Sequence, residues 1–170
     1  MKALIIIAAL IAVFVLVALL NRNQTHHLIT SIDVDAPASV VWEVLTNTDD
    51  YAWNPFVKSV EGELAEGNVV NVTLSDGMRF TPTVLVAEPN RELRWLGRLG
   101  LPRVIDGEHI YRIVATSDST VTFEHNEDFT GFLVPLLRSK LDEETVPGFE
   151  SMNRALKETA ERVYLSARTN

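Results

Sequence analysis

The 170-residue sequence contains no cysteine. That absence excludes disulfide frameworks, thiolate zinc sites, iron–sulfur clusters and cysteine nucleophiles, and it leaves the redox compartment unmarked. Positive charge is scarce as well: 15 Lys and Arg stand against 23 Asp and Glu, for a formal charge of −8. An acidic body repels phosphate backbones, so nucleic acid is not an expected partner. There is no Gly-x-Ser-x-Gly elbow and no strand-following Gly-x-Gly-x-x-Gly; Gly97-Arg98-Leu99-Gly100-Leu101-Pro102 lacks the Lys-Ser/Thr ending of a phosphate loop. No two histidines stand at His-x-x-x-His spacing, so no metal is expected, nor any other cofactor. Repeats and low-complexity tracts are missing too, and the length suits one ordinary domain.

What is present begins with Ala3 to Leu20, ALIIIAALIAVFVLVALL, an apolar run of 18 residues without a charge, Gly or Pro. As a helix it would extend about 27 Å, close to the hydrocarbon core of a bilayer. A cleaved secretory signal is the rival reading, but such cores are shorter and end at a small-x-small site, which Val17-Ala18-Leu19-Leu20-Asn21 does not offer. The expectation is a transmembrane anchor over 1–20, a polar linker over 21–27 and a domain over 28–170. Lys2 and the α-amino group on one flank, against Arg22, His26 and His27 on the other, place the domain on the extracytoplasmic side of a single-pass membrane protein. The two histidines, in the linker, are expected to be solvated.

Leu28, Thr30, Ile32 and Val34 alternate as in a half-buried strand, and Ala36-Pro37 ends it. Val40, Val41, Trp42, Val44 and Leu45 give a short helix a broad apolar side. From Val57 to Phe129, β-rich runs are separated by turn clusters such as Glu66-Gly67-Asn68 and Ser75-Asp76-Gly77. Six strands are read there: 57–64, 69–74, 80–87, 92–97, 104–115 and 120–129. After Gly131 the period becomes helical, with Phe149, Met152, Leu156 and Val163 on one face. Pro147-Gly148 should kink or interrupt this helix. The order points to an α+β fold, a curved seven-stranded antiparallel sheet around a long C-terminal helix, with a cavity between them unless large side chains fill it.

Two stretches carry a resemblance. One runs from Asp35-Ala36-Pro37-Ala38-Ser39-Val40-Val41-Trp42 to Tyr51-Ala52-Trp53-Asn54-Pro55-Phe56. The other comprises Gly107-Glu108-His109, Thr122-Phe123-Glu124-His125 and Phe129-Thr130-Gly131. Together they resemble the SRPBCC superfamily of helix-grip proteins, which holds START lipid-binding domains, polyketide cyclase/dehydrase-like proteins and birch-pollen-type allergens. The resemblance covers about Leu28 to Val163 and implies an elongated apolar cavity under the long helix. It says little of function, because this fold hosts binders, transporters and enzymes.

On the last strand Val121, Phe123, His125, Glu127 and Phe129 share the more apolar, inward face; on the strand before it His109, Tyr111 and Ile113 match them. A hairpin with an odd loop or a bulge would pair Tyr111 with His125 and His109 with Glu127, and would set Arg112 opposite Glu124 outside. The inward polar groups either satisfy each other, fix a ligand head group, or move protons, with His125 and Glu127 as the catalytic candidates. Trp53, Phe56 and Leu99 at the expected rim, and Phe149 and Met152 on the helix, complete the expected ligand-contacting set. The function expected is a membrane-tethered protein that binds a lipid or another hydrophobic small molecule. A cyclase/dehydratase-like enzyme that uses pocket His, Glu and Tyr is the alternative, and an adaptor with a filled core the third reading.

Overall fold

A computed structural model describes residues 2–21 and 24–169; the side chains of residues 3, 10, 11 and 18–21 lie outside that description, as do Arg22 and Asn23 of the expected linker. The elements are α1 (Lys2–Asn21), β1 (Thr25–Val34), α2 (Ala38–Thr46), β2 (Val57–Glu61), β3 (Asn71–Leu74), β4 (Arg79–Phe80), β5 (Thr83–Glu88), β6 (Glu92–Arg98), β7 (Asp106–Ser117), β8 (Thr120–Thr130) and α3 (Val134–Thr169). The α+β, helix-grip-like arrangement of antiparallel sheet and long C-terminal helix is therefore present. The sheet is not the single seven-stranded one expected. Five strands pair in the order β1-β8-β7-β6-β5, and three form a separate sheet, β2-β3-β4. The break falls inside the expected strand 80–87, at Pro82. Proline has no N–H for a ladder, so the chain pairs with β3 before it and with β6 after it.

The β7–β8 hairpin has the expected register, Tyr111 opposite His125 and His109 opposite Glu127, with a bulge between Ala115 and Ser117. On its outer face Arg112 reaches Glu124 at 3.1 Å. The adjoining carboxylate of Glu92 takes Arg94 and Arg112 together; burial works to raise its pKa, but the two guanidiniums prevail and hold it below the usual carboxylate range.

In α2, Val41, Val44 and Leu45 are buried, at the spacing of one helical face. In α3 the buried residues are Val134, Phe149, Met152, Asn153, Leu156 and Ala160, of which Met152, Leu156 and Ala160 belong to the main core with Trp95, Tyr111 and Phe123. Val163, expected on that face, is 39 % exposed, and Tyr164 packs against the core instead. The helix runs through Pro147 without interruption. A second, smaller core of Leu28, Ile105, Phe129 and Val134 lies at the start of α3.

Two expectations for the N-terminal region are corrected. Phe14, in the second half of α1, meets Phe132 edge-on with ring centroids 5.2 Å apart, yet it remains 54 % exposed. Other described side chains of α1, Leu4 to Ile7 among them, remain exposed. Among the described residues no helix is long and apolar enough to cross a membrane. That finding overturns the transmembrane helix and the single-pass, extracytoplasmic localisation, and it leaves the membrane contact through residues 3–20 without support. Of the two histidines expected to be solvated, His26 is largely covered while His27 stays exposed. They belong to β1, which begins at Thr25, and each meets a carboxylate at 2.6 Å, His26 that of Asp142 on α3 and His27 that of Asp128 on β8.

Candidate functional site

A half-open cavity of about 1390 Å³ lies between the small sheet, strands β6 to β8 and the first third of α3. Its apolar wall includes Phe56, Phe80, Trp95, Leu99, Phe129 and Leu141, while Lys58, Arg79, Arg98, Asp76, Lys140 and Glu144 are among its charged lining residues. Two inward polar side chains also line it, the buried His109 and the partly buried Glu127. Both arise from strand alternation: they are cross-strand partners on the inward face of β7 and β8. One glycine makes room for the Glu127 carboxyl. A Cβ at Gly107 would run into the Glu127 carboxyl, and the opposite residue on β6 is Gly97, also in the cavity wall.

Behind His109 the polar groups form a continuous chain. His109 Nε2 lies 2.6 Å from His125 Nε2, His125 Nδ1 lies 2.8 Å from Asn153 Oδ1, and Asn153 Nδ2 donates to Thr30 Oγ1 at 3.0 Å. The Thr30 hydroxyl donates to the His125 carbonyl oxygen at 2.6 Å. Aromatic rings enclose this chain. Phe149 stacks on His125 at 3.8 Å between centroids, and Trp95 and Tyr111 flank His109 at 5.6 and 4.6 Å.

Burial sets the charge states. It pushes His125 down to about 3, against the partial opposition of the Asn153 hydrogen bond, and it holds His109 well below the ordinary imidazole range, with His125 adding to the effect. Burial and then the neighbouring Asp128 carboxylate raise Glu127 to about 8. At neutral pH both imidazoles are therefore neutral and Glu127 is mostly protonated. The 3.9 Å between His109 Nδ1 and Glu127 Oε2 is then no ion pair, and it is too long for a hydrogen bond. Among the described residues neither atom has a hydrogen-bond partner, so an uncharged imidazole nitrogen and an uncharged carboxyl oxygen are both left open to the cavity.

Of the residues expected to touch a ligand, His109, Glu127, Phe56 and Leu99 line the cavity. Tyr111, Phe123, Phe149 and Met152 are fully buried in the packing behind it, and Trp53 packs against Tyr51. His125, a catalytic candidate by sequence, lies one imidazole further in and uses both ring nitrogens in hydrogen bonds. Trp95 was not anticipated, although it faces His109 across β6 and β7 and counting the register one strand further would have placed it. The small sheet's contributions, such as Phe80 and Arg79, carried no signal, since they depend on the break at Pro82. No group of His, Asp and Glu among the described residues is placed to hold a metal ion.

A family model described as "Polyketide cyclase / dehydrase and lipid transport" matches residues 25–163. No curated protein matches the chain at the sequence level. Among solved structures, the Zhui aromatase/cyclase of a Streptomyces species superposes with a TM-score of 0.66 at 19% identity, covering 82% of this chain and 95% of that one. A START superfamily protein from Mycobacterium smegmatis gives 0.62 at 20% identity, over 81% and 99% of the two chains. A point mutant of norcoclaurine synthase from Thalictrum flavum, bound to a transition-state analogue, gives 0.63 at 13%, over 82% and 96%. At these identities the likeness shows the fold alone.

Proposed function

We propose that the chain, which belongs to the polyketide cyclase / dehydrase and lipid transport family, binds a hydrophobic small molecule with its apolar body against Phe56, Phe80, Trp95 and Phe129 and a polar end at His109 and Glu127. One observation carries this reading: a large cavity lined by apolar and charged side chains has on its inner wall two polar groups, at His109 and Glu127, that the protein leaves without hydrogen-bond partners. Apolar enclosure with a few convergent polar atoms is the usual composition of a small-molecule site.

A second reading rests on a separate observation. Glu127, protonated at neutral pH, and His109, neutral with a free ring nitrogen, form an acid and a base on one cavity wall. That pair supports proton transfer to and from a bound carbonyl compound, as in a cyclase- or dehydratase-like enzyme. His125 would act through His109.

Native mass spectrometry of the full chain, purified without detergent, tests the first reading. The expected result is a reproducible bound mass that organic solvent extracts and that His109→Leu or Glu127→Leu weakens. An apo mass that also takes up no added apolar probe would overturn it. Chemical change of the extracted molecule on incubation, lost in Glu127→Gln, would favour the second reading.

A further inference from the structure

The hydrogen-bond chain behind His109 runs in one direction, and its direction is set at the far end. The His125 carbonyl oxygen can only accept, so the Thr30 hydroxyl, 2.6 Å away, spends its proton there. Thr30 Oγ1 is then an acceptor towards Asn153, which turns the amide NH2 of Asn153 to Thr30 and its oxygen to His125. The amide orientation thus follows from the network. An amide oxygen facing His125 Nδ1 requires the proton on that nitrogen. Burial keeps His125 from taking a second proton, so its Nε2 carries a lone pair. His109 Nε2, 2.6 Å away, must therefore carry the proton, and His109 Nδ1 is bare.

We propose that Thr30 and Asn153 are positioning residues that set the tautomer of His109 through His125, so that the cavity meets a lone pair on His109 Nδ1 and selects ligands that carry a hydrogen-bond donor there. The inference rests on the reading of the cavity as a binding site and names what that site distinguishes. Neither positioning residue lines the cavity. Thr30 is on β1, and Asn153, 2 % exposed, is on α3. Reversal anywhere in the chain would present an N–H to the cavity and invert the preference from donors to acceptors.

Two measurements on the full chain test this. Long-range proton–nitrogen NMR of histidine-labelled protein should show His125 protonated at Nδ1 and His109 at Nε2; a proton on His109 Nδ1 would overturn the proposal. In fluorescence titration, 2-naphthol, which can donate, should bind up to about tenfold more tightly than 2-methoxynaphthalene, which cannot, as one hydrogen bond allows. Thr30→Val should bring that ratio towards one, and Thr30→Ser, which keeps the hydroxyl, should restore it. A loss of packing alone would weaken both probes together and leave the ratio unchanged, which would overturn the proposal, as would a ratio near one in the unaltered protein. If neither probe binds, the cavity is not the binding site proposed and the inference falls with that reading, whereas equal binding of both leaves the binding site standing and removes only the inference.

Discussion

Gly107 and Glu127 occupy adjoining space across the β7–β8 hairpin, and a methyl group at position 107 would stand where the carboxyl now is. The carboxyl that faces the cavity thus depends on a missing side chain two residues before its cross-strand partner His109.

Gly107→Ala is expected to drive the Glu127 carboxyl away from His109 and into the cavity. Overpacking costs about 1–3 kcal/mol. The low end, about 1 kcal/mol, is expected, because the displaced atoms end a flexible side chain. Urea unfolding gives the stability, and uptake of an apolar probe should fall by more than the stability change implies. Unchanged uptake would place Glu127 outside the ligand's reach.

Glu127 should make the protein less stable as pH rises. Its pKa is raised to about 8 in the folded state from 4.5, so between those values the folded chain holds a proton that the unfolded chain has released. Stability from this group is full below about pH 4.5 and is lost through pH 8. His125, lowered to about 3, works in the opposite direction between about 3 and 6.5, so the Glu127 slope stands alone above 6.5. Glu127→Gln should abolish a loss of about 2 kcal/mol between pH 6.5 and 8, read by chemical denaturation at several pH values. A parallel pH profile in the variant would contradict the buried neutral acid.

Glu92→Ala tests the outer face of the sheet. Glu92 accepts from both Arg94 and Arg112, and hydrogen bonds to charged groups contribute about 1.5–3 kcal/mol. Arg94 keeps Glu108 and Arg112 keeps Glu124, so a loss near about 2 kcal/mol is expected, with ligand uptake unaffected. Altered uptake would mean that the two faces of the sheet are coupled.

Gly148→Ala sets two effects against each other. Alanine in a helix interior gains about 1 kcal/mol over glycine. The new methyl, however, collides with the Phe56 ring, which lines the cavity and packs edge-on against Phe149 at 5.7 Å. Stability should change little, while Phe56 is pushed into the cavity and apolar probe affinity falls several-fold. Calorimetry and titration separate the two effects, and unchanged affinity would show that the ring has another way out.

Strand alternation and one hairpin register were enough to place His109, Tyr111, His125 and Glu127 on one face and to pair them, because that information is local. Which of them meets the cavity was not local. It depends on how the small sheet closes over β6 and β7 after Pro82, and on which third of α3 leaves space beneath it. Thr30 was readable as inward-facing, but its role needs Asn153, 123 residues away. No periodicity links a threonine on the first strand to an asparagine on the last helix. The N-terminal run shows the opposite failure. Its composition suggested a spanning helix, and among the described residues no helix is long and apolar enough to be one.

The division of the strands into a five-membered and a three-membered set gives the cavity two unlike walls. Behind the cavity, β6 to β8 are flanked by neighbours on both sides. In front, β2 has a free edge, β4 spans only Arg79–Phe80, and the two sets meet at the Val69–Thr83 bridge. Amide protons of β3 and β4 should therefore exchange with solvent sooner than those of β7, through openings that do not unfold the rest. Such openings would widen the cavity for a time and admit a molecule too large for its rest size.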